Sequence, residues 1–467
     1  MTRIAIVGGG ISGLSAAFEL EERRWAGADL EYVLYESSPL LGGTLRTELI
    51  DGCVVEAGPD SFLTEKPWAA DLCRRLGIAD QLIGSSDRER KTYILVRGRL
   101  VEMPDGLMFM VPTKIWPTAL SPLFSWSTKV RMAREWFSPP TPAHEDESVA
   151  AFVERHYGPQ MVERLADPLL SGVYGGEAAS LSVRAVLPRF AEMERGHGSL
   201  GRAMLAARKK SRHRANPAPP IFTSLKNGMQ QLVEAVVARL SASSLVVNAR
   251  VESIRPGGGG WDVEFAGSAN GGALEHFDAV ILAVPTHAAA SLLRNCAAEL
   301  AGELAGIGYT SSITVGLGYD GDVRRMLPPG FGFLVPRSEG RLLLASTFVH
   351  NKFPFRASAD RALLRCFFAG ADADRVWGRS DAEIVAVVRE ELRQILGLRA
   401  APRFARVFKW KAAMPQYGVG HLERLQQIER LRAQMPGLAL CGNGYRGIGI
   451  PDCVRSGAEA VEFVVPS

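Results

Sequence analysis

The start of the chain carries the feature that most constrains its fold. A short apolar segment, RIAIV, runs directly into the glycine-rich turn GGGISG and then into LSAAFELEERR. An apolar run ahead of a glycine cluster predicts a buried parallel strand, and the spacing of apolar residues after it predicts a helix. A second strand, LEYVLYE, ends at Glu36. Residues 3–36 are therefore predicted to form one β-α-β unit of a Rossmann-like α/β fold.

The glycines of this turn have the G-x-G-x-x-G spacing of dinucleotide-binding sites. Gly8 would allow a sharp turn, Gly10 would let a pyrophosphate approach the backbone, and Gly13 would let helix and strand pack closely. The helix that follows directs free N–H groups and the positive end of its dipole at the phosphates. Glu36 can accept hydrogen bonds from both ribose hydroxyls, and its charge disfavours a 2′-phosphate. The turn thus predicts a dinucleotide site.

Composition excludes several other classes of protein. A chain of 467 residues is too long for one ordinary core, so two or three domains are expected. The net charge of +4 is too small to indicate nucleic-acid binding. The six cysteines include no CxxC pair, which favours reduced thiols in a cytosolic protein over a metal site or a disulfide framework. We expect no signal peptide and no membrane-spanning helix, because no apolar run reaches about 18 residues.

Three domains are predicted, two of them discontinuous in sequence. Residues 103–137 contain prolines that break the segment into short helices, and helical patterns continue beyond it. Strand patterns dominate the second half, with a hairpin across PGGGG. We predict a nucleotide-binding domain (1–88, 246–304 and 408–467), a mixed-sheet substrate-binding domain (89–99, 206–245 and 305–407) and an inserted helical domain (100–205). The basic segment 207–220 is expected to be an exposed linker, with attraction to acidic lipid or an anionic substrate as the alternative.

Two further motifs indicate that the dinucleotide is a flavin. Gly42 and Gly43, followed by Arg46, resemble the second signature of FAD enzymes of the glutathione-reductase-like class, in which this loop also approaches the pyrophosphate. Simple NAD dehydrogenases usually lack it. The segment VVEAGPDSFL then provides a strand and a turn at Gly58 and Pro59. In flavin oxidases of this class such a turn lies beside the isoalloxazine.

Motifs along nearly the whole chain resemble one family: EAGPDSFL, KTYILVRGRLVEMP, LSGVYGGEAASLSVRAVLP, GFGFLVPR, KWKAAMPQYGVGH and GYRGIGIPDCVRSG. The chain resembles the FAD-dependent protoporphyrinogen and coproporphyrinogen III oxidases of the flavin amine oxidase superfamily. The resemblance implies that a porphyrinogen loses six electrons through one FAD to O2, giving the porphyrin and hydrogen peroxide in haem biosynthesis. An electron-rich macrocycle is easily oxidised, so positioning can supply most of the catalysis. A flavin amine oxidase, a carotenoid desaturase and a flavin-free escort-like protein are the alternatives.

The resemblance also implies site residues. The carbonyl of Gly172, in the SGVYGG turn, would orient the macrocycle or take protons, unless this glycine serves only the turn. Lys91 is the candidate partner of the substrate carboxylates, and Leu334 and Phe368 are the candidate apolar walls. Trp410 would pack near the flavin. The full set of expected cofactor contacts is Gly8, Gly9, Gly10, Ile11, Ser12, Gly13, Glu36, Ser37, Gly43, Thr44, Gly58, Pro59, Asp60, Ser61, Val251, Trp410, Ile448, Gly449 and Ile450. No metal-ligand cluster is found.

The C-terminal segment CGNGYRGIGIPDCVRSG is expected to close the flavin site. Its glycine-rich turn can approach the flavin through the backbone, and Pro451 with Asp452 opens the final helix. Asp452 is expected to cap that helix. The helix dipole would then point at the N1/C2 carbonyl edge of the flavin, where negative charge builds on reduction. Cys453 is expected to be a packed thiol.

The remaining expectations concern partners and location. The substrate and O2 are the expected partners, nucleic acid is not, and a homodimer stays open. Trp116, Trp126 and Trp136, with the basic residues near them, suit a membrane interface. They are equally suited to internal packing or to lining a substrate channel. We therefore expect a cytoplasmic protein and leave open a peripheral contact with the inner face of the cell membrane.

Overall fold

The computed structural model describes residues 1–86, 90–108, 110–140, 145–211, 220–266 and 273–465. The strands are β1 (Thr2–Val7), β2 (Leu30–Tyr35), β3 (Thr47–Ile50), β4 (Cys53–Glu56), β5 (Phe62–Leu63), β6 (Leu82–Gly84), β7 (Thr92–Val96), β8 (Arg99–Glu102), β9 (Leu107–Met108), β10 (Val111–Pro112), β11 (Phe222–Leu225), β12 (Leu245–Val246), β13 (Val251–Gly257), β14 (Gly260–Phe265), β15 (Leu274–Phe277), β16 (Ala279–Leu282), β17 (Tyr309–Asp320), β18 (Gly332–Leu334), β19 (Ala345–Phe348), β20 (Arg361–Ala369), β21 (Phe404–Pro415) and β22 (Leu438–Leu440).

The α-helices are α1 (Ile11–Trp25), α2 (Trp68–Arg75), α3 (Ile115–Leu120), α4 (Trp126–Glu135), α5 (Val149–Tyr157), α6 (Pro159–Met161), α7 (Asp167–Tyr174), α8 (Val183–Val186), α9 (Pro188–His197), α10 (Leu200–Ser211), α11 (Gln230–Val237), α12 (Thr286–Leu293), α13 (Ala298–Ala305), α14 (Val349–Lys352), α15 (Gly370–Val376), α16 (Asp381–Leu396), α17 (His421–Arg432) and α18 (Ile450–Val464). A π-helical turn, Val162–Ala166, joins α6 to α7.

A five-stranded parallel sheet organises the nucleotide-binding part, in the order β12-β2-β1-β16-β22. Side chains of β1 alternate between two cores because successive strand residues point to opposite faces. Ile4 and Ile6 pack with α1, α2, α11 and α18, whereas Ala5 and Val7 pack beneath the antiparallel sheet β13-β14-β15 and helices α12, α13 and α17. Both faces of the parallel sheet are thus covered, and the predicted Rossmann-like α/β fold is confirmed.

Helix α18 lies alongside α1 and runs in the same direction. At the middle of α18, a β-carbon on Gly457 would lie 2.3 Å from the carbonyl oxygen of Ser12, near the start of α1, and near the ends of both helices Arg23 donates to Glu462 at 3.0 Å. The two helices therefore approach each other closely where Gly457 has no side chain. Their N-termini consequently face the same edge of the parallel sheet.

A seven-stranded sheet forms the second part, in the order β21-β17-β20-β19-β18-β7-β8. Only the pair β18–β7 is parallel among these strands. One face packs on α16, which starts at a capping box of Ser380 and Glu383. The opposite face meets the β3–β4 hairpin of the nucleotide-binding part, where a β-carbon on Gly316 would lie 2.7 Å from a methyl group of Val55.

Helices α3 to α10 form a third block with its own core, built around Phe152, Tyr157 and Leu165. Within the described residues no helix is both long and apolar enough to cross a membrane.

The packing differs from the predicted domain assignment in two places. Leu232 and Val236 of α11 lie in the core shared by α1 and α18, although residues 206–245 were predicted for the substrate-binding domain. Strand β21 completes the seven-stranded sheet through Pro415, although residues from 408 onwards were predicted for the nucleotide-binding domain. The first residues of the predicted linker are helical, because α10 extends to Ser211, and residues 212–219 lie outside the described part of the chain.

The close packing of α1 on α18 predicts the effect of adding one methyl group. Gly457→Ala is expected to lower the melting temperature, because overpacking typically costs about 1–3 kcal/mol. Gly302, inside α13, is the matched control, since a β-carbon there meets no atom within 4 Å. Gly302→Ala should leave the melting temperature unchanged or raise it, because alanine is the better helix former by about 0.5–1 kcal/mol. Equal melting temperatures for Gly457→Ala and the unaltered protein would contradict the packing argument.

Candidate functional site

The glycine-rich turn between β1 and α1 has the steric roles predicted for it. Gly8 has a φ of +109°, and a β-carbon there would lie 2.6 Å from the Ala283 carbonyl oxygen. At Gly13 a β-carbon would lie 2.0 Å from the Gly8 carbonyl oxygen. At Gly10, by contrast, it would meet nothing within 4 Å. Gly10 therefore borders open space at the N-terminus of α1, where a phosphate can reach the backbone.

The carboxylate of Glu36 lies next to this turn, at the carboxyl end of β2. One oxygen accepts from the Gly9 N–H at 2.8 Å, and the other accepts from the Ser38 N–H at 2.7 Å and from the Ser37 hydroxyl at 3.2 Å. The Glu36 carbonyl accepts from Ala249, so the segment leading to Val251 lies along the same edge. Val251 itself is buried in the core beneath β13–β15. The arrangement suits recognition of a ribose beside the phosphates.

Residues 42–44 lie against the glycine-rich turn, and residues 57–61 lie against residues 42–44. The Gly42 N–H donates to the Gly9 carbonyl at 2.8 Å, and Gly10 and Gly42 form a parallel β-bridge. A β-carbon on Gly58 would lie 2.0 Å from the Thr44 carbonyl oxygen. Only glycine fits at this crossing, so the predicted flavin turn is held directly against the predicted pyrophosphate loop.

Two side chains from the seven-stranded sheet hold this turn from the other side. The indole N–H of Trp410 donates to the Ala57 carbonyl at 2.8 Å, and the Arg365 guanidinium donates to the Gly58 carbonyl. The Arg46 guanidinium lies over the Trp410 ring, 5.7 Å from its centre. Trp410 therefore contacts the predicted flavin turn, and its position beside the flavin stays a prediction, whereas Arg365 carries no sequence signal that would have marked it.

The C-terminal glycine-rich turn is fixed by Tyr417, a residue that the sequence reasoning missed. Its hydroxyl donates to the Asn443 carbonyl at 2.5 Å and accepts from the Gly447 N–H at 3.0 Å. His421 stacks on the Tyr417 ring with centroids 4.1 Å apart, and its Nε2 lies 2.9 Å from the Tyr445 carbonyl oxygen. Burial lowers the pKa of His421, so the neutral ring donates to that carbonyl. Both side chains hold the backbone of the turn.

The start of α18 corrects one expectation. Its N-cap residue is Gly449, without a side-chain cap, and Asp452 is the third residue of the helix. The Asp452 carboxylate instead accepts from the Lys66 ammonium at 2.6 Å. The prediction that Asp452 caps the helix is wrong because the helix begins three residues earlier than that role requires. A carboxylate in the first turn still interacts favourably with the helix dipole. Cys453 is buried in the core, as expected.

These elements bring two helix N-termini, α1 at residue 11 and α18 at residue 450, to one edge of the parallel sheet. Each is the start of a 15-residue helix, and such a start favours negative charge. The carboxylate of Glu36, the open space at Gly10 and the tight turn at Gly58 fit the ribose, the phosphates and the flat end of a dinucleotide, respectively.

Gly172 lies in the last turn of α7, not in the turn that follows it. That turn is made by Gly175, which has a φ of +65° and ends the helix. A β-carbon on Gly172 would meet nothing within 4 Å, and the residue is exposed. The alternative that Gly172 serves only a tight turn is therefore wrong. Carbonyls in the last turn of a helix lack partners within the helix, so one is available to a ligand.

Phe368 does not line a pocket: it is fully buried in the core between β17, β20 and α16. Its neighbour Phe367 points to the opposite face, where the register Leu334–Ala345–Phe367 crosses three strands. The prediction of Phe368 as a wall is wrong, because the period-two alternation of the strand turns its side chain into the core.

Lys91 precedes β7 and is 48% exposed, with its ammonium 3.0 Å from a Glu102 carboxylate oxygen. Its carbonyl accepts from the Phe331 N–H at 2.7 Å, which places it next to the start of β18. Leu334, at the other end of β18, packs partly on the helical core and partly on Ala345. Lys91 thus lies beside the first residues of β18, the strand that ends at Leu334.

Within the described ranges no group of three His, Cys, Asp or Glu residues could hold a metal ion.

The fold and the site together define a dinucleotide-binding α/β protein with a second sheet packed over the nucleotide edge. Residues 11–465 match the model of the flavin-containing amine oxidoreductase family. The chain is 34% identical to the coproporphyrinogen III oxidase of Bacillus subtilis (strain 168) over 462 residues, 98% of this chain and 97% of that protein. The chloroplastic protoporphyrinogen oxidase 1 of Spinacia oleracea is 28% identical over 493 residues, 98% of this chain and 84% of that protein.

A solved structure supports the same family relationship. A protein from Exiguobacterium sp. 255-15, provisionally named a protoporphyrinogen oxidase, superposes with a TM-score of 0.87 at 29% identity and covers 99% of this chain and 98% of its own. The chain belongs to the flavin-containing amine oxidoreductase family. The protein is accordingly an oxidoreductase with a flavin cofactor, and the resemblance inferred from the motifs is confirmed.

Removing the Tyr417 hydroxyl tests whether this group positions the C-terminal glycine-rich turn for flavin binding. Tyr417→Phe leaves the Asn443 carbonyl and the Gly447 N–H without their partner, which typically costs about 1–3 kcal/mol. We expect flavin affinity to fall about tenfold, measured by the fluorescence of released flavin during titration with bromide. Tyr445→Phe is the control, because the Tyr445 hydroxyl in the same turn is buried without a hydrogen-bond partner among the described residues. Equal affinities for the two variants would show that Tyr417 does not position the turn.

Proposed function

We propose that the protein is an FAD-dependent porphyrinogen oxidase of haem biosynthesis, which converts coproporphyrinogen III or protoporphyrinogen IX to the porphyrin. Six electrons would leave the substrate in three two-electron steps and pass to O2, giving three molecules of hydrogen peroxide. The observation that carries the proposal is the similarity to the coproporphyrinogen III oxidase of Bacillus subtilis, which extends over 98% of this chain.

FAD is the flavin that suits the site. Glu36 and the glycine-rich turn form a place for a ribose and a pyrophosphate, which are absent as a unit from a mononucleotide flavin. The turn at Gly58 and the start of α18 are the candidate contacts of the isoalloxazine. When bound, the flavin supplies a hydride acceptor. The predicted cofactor contacts that surround these elements remain proposals.

The apolar walls suit a flat macrocycle. Leu334 and Phe367 lie two strands apart on one face of the seven-stranded sheet, about 10 Å across the strands. Leu334 also packs on the core that contains Leu170 of α7, the helix that carries Gly172. We propose that these groups hold the ring, with the Gly172 carbonyl as a hydrogen-bond acceptor for a pyrrole N–H. The chain's contribution to the reaction would then be positioning and the exclusion of water.

Lys91 is the proposed partner of a substrate carboxylate. Because its ammonium lies 3.0 Å from Glu102, a propionate would have to replace that carboxylate. An exposed pair of this kind is worth at most about 1 kcal/mol, so the exchange is inexpensive.

Oxygen uptake with different reduced substrates tests the function. We expect a yellow protein that consumes three O2 per porphyrin formed from coproporphyrinogen III or protoporphyrinogen IX, and that ignores alkyl amines. The rates on the two porphyrinogens identify the physiological substrate. A colourless protein would favour the flavin-free alternative, and turnover of amines alone would favour an amine oxidase.

Two neighbouring phenylalanines give a matched test of the proposed wall. Phe367→Ala should raise the KM for the porphyrinogen about tenfold, because a buried aromatic ring contributes about 1.5–3 kcal/mol. Phe368→Ala should instead lower the melting temperature, since removing a core aromatic costs about 3–5 kcal/mol. A KM effect in Phe368→Ala without one in Phe367→Ala would restore the assignment made from the sequence.

We further propose that the helical block contacts the inner surface of the cell membrane, which would make the protein cytoplasmic and peripheral. Trp116 and Leu120 follow each other at i, i+4 on α3 and are 76% and 79% exposed, and Trp126 and Val130 repeat the pattern on α4. The Lys129 ammonium lies over the Trp126 ring at 4.7 Å. Exposed aromatics with neighbouring cations suit an anionic lipid surface. Trp136, in contrast, is half-buried and packs on Gly201.

Sedimentation with vesicles of anionic phospholipid tests this contact. The unaltered protein should bind, and the double variant W116S/W126S should lose most of that binding. Leu49→Ser, which removes a residue that is 75% exposed on the β3–β4 hairpin, should bind as the unaltered protein does. Equal binding of all three proteins would exclude this surface.

A further inference from the structure

Five charged side chains lie behind the turn of residues 57–61, where the nucleotide-binding part meets the seven-stranded sheet. Glu56, Arg356 and Arg365 are buried, and the side chains of Asp60 and Lys352 are only 14% and 12% exposed. Three are cations and two are anions. Buried charge is costly unless it is paired, so a group with one cation in excess calls for an explanation. Glu56 and Asp60 belong to the motif VVEAGPDSFL, whereas Lys352, Arg356 and Arg365 lie in none of the motifs quoted above.

One pair within the group, Arg356 with Glu56, is neutral. Arg356 is fully buried, forms an ion pair with Glu56, and donates to the Ser224 hydroxyl at 2.6 Å and the Leu225 carbonyl at 3.1 Å. Glu56 also accepts from the Met229 N–H at 2.7 Å. These contacts join β4 to β11 and contribute no net charge.

The other three residues, Lys352, Asp60 and Arg365, carry the excess positive charge. The Lys352 ammonium lies 3.1 Å from both oxygens of Asp60, and the Arg365 guanidinium lies 3.6 Å from one of them. Two cations therefore share one carboxylate, and the triad has a net charge of +1. Burial disfavours the Asp60 carboxylate, but the Lys352 and Arg365 charges outweigh it and hold the pKa of Asp60 below its usual value. Burial lowers the pKa of Lys352, and Asp60 opposes that change.

The triad is joined to the proposed flavin turn by hydrogen bonds on both sides. Arg365 donates to the Gly58 carbonyl, and Lys352 donates to the Ser61 hydroxyl at 3.2 Å. The Lys352 ammonium also lies over the rings of Phe222 and Phe353, at 4.7 and 5.1 Å from their centres. Two aromatic rings thus border this charge and the Lys352 side chain is only 12% exposed, so its field is screened less than that of a surface lysine.

We propose that the Lys352–Asp60–Arg365 triad sets the reduction potential of the flavin. Uptake of a hydride adds two electrons and one proton, so the flavin ring gains one negative charge. A buried net positive charge beside the turn stabilises that product and favours transfer from the substrate. The inference rests on the proposed FAD site, in which residues 57–61 contact the isoalloxazine, but it does not depend on which molecule is oxidised.

Three variants separate this electrostatic role from mere support of the turn. Lys352→Met makes the triad neutral, Asp60→Asn raises its charge to +2, and the double variant D60N/K352M restores +1 without the ion pair. The midpoint potential of the flavin in each purified holoenzyme is measured by equilibration with a reference dye. Lys352→Met should lower it and Asp60→Asn should raise it, each by about tenfold in the equilibrium constant, or about 30 mV for two electrons. The double variant should match the unaltered protein.

If the triad only supports the turn of residues 57–61, the midpoint potentials will show a different pattern, because all three variants lose the same ion pair. Shifts of one sign in both single variants, or a double variant that departs further than either, would overturn the proposal. Lys352→Arg keeps the charge and should keep the potential, and Lys352→Gln replaces Lys352→Met if that variant does not fold. Glu390→Gln and Arg393→Met, which break an exposed ion pair on α16, are the controls and should leave the potential unchanged.

The outcome is distinguishable from failure of the proposed function. A protein that binds no flavin contradicts the function itself. A flavoprotein that fails to oxidise porphyrinogens still has a measurable potential, and the opposite shifts remain required.

Discussion

Close approach between backbone segments, which only glycine permits, is the constraint on which the site depends. At Gly13 and Gly58 a β-carbon would lie 2.0 Å from a carbonyl oxygen, and at Gly457 the distance would be 2.3 Å. These crossings hold α1 on β1, the flavin turn on residues 42–44, and α18 on α1. Because each crossing leaves no room for adjustment, the two helix N-termini and the two turns keep one relative position. A ligand at this edge meets backbone groups that need no reorganisation on binding.

The two faces of the seven-stranded sheet have different roles: one forms a hydrophobic core, and the other borders the proposed site. Val315, Leu317 and Phe368 form a dry core with α16 on one face. On the other face Arg365 and Phe367 meet the nucleotide-binding part. Since successive residues of β20 alternate between these faces, one strand contributes both to the core and to the proposed site. A sheet can therefore hold charged groups next to a cofactor while its other face supplies the hydrophobic free energy.

Much of the nucleotide site was readable from the sequence because its elements are local. Gly8, Gly10, Gly13 and Glu36 lie within one β-α-β unit, and their roles follow from spacing alone. The errors have equally local causes. Phe368 was chosen over Phe367 because residue type does not reveal which face of a strand is covered. Asp452 was assigned to a cap because the start of α18 lay within a run of glycines and prolines, where helix boundaries are poorly marked.

By itself the sequence determined the Rossmann-like start, the flavin family and the order of the glycine turns, since these depend on residues close together in the chain. Only the tertiary structure decided which distant residues complete them. Lys352 and Arg365 lie about three hundred positions from Asp60, and Tyr417 reaches Gly447 across 30. No periodicity or motif encodes such pairs, because they exist only where elements distant in the sequence are packed together.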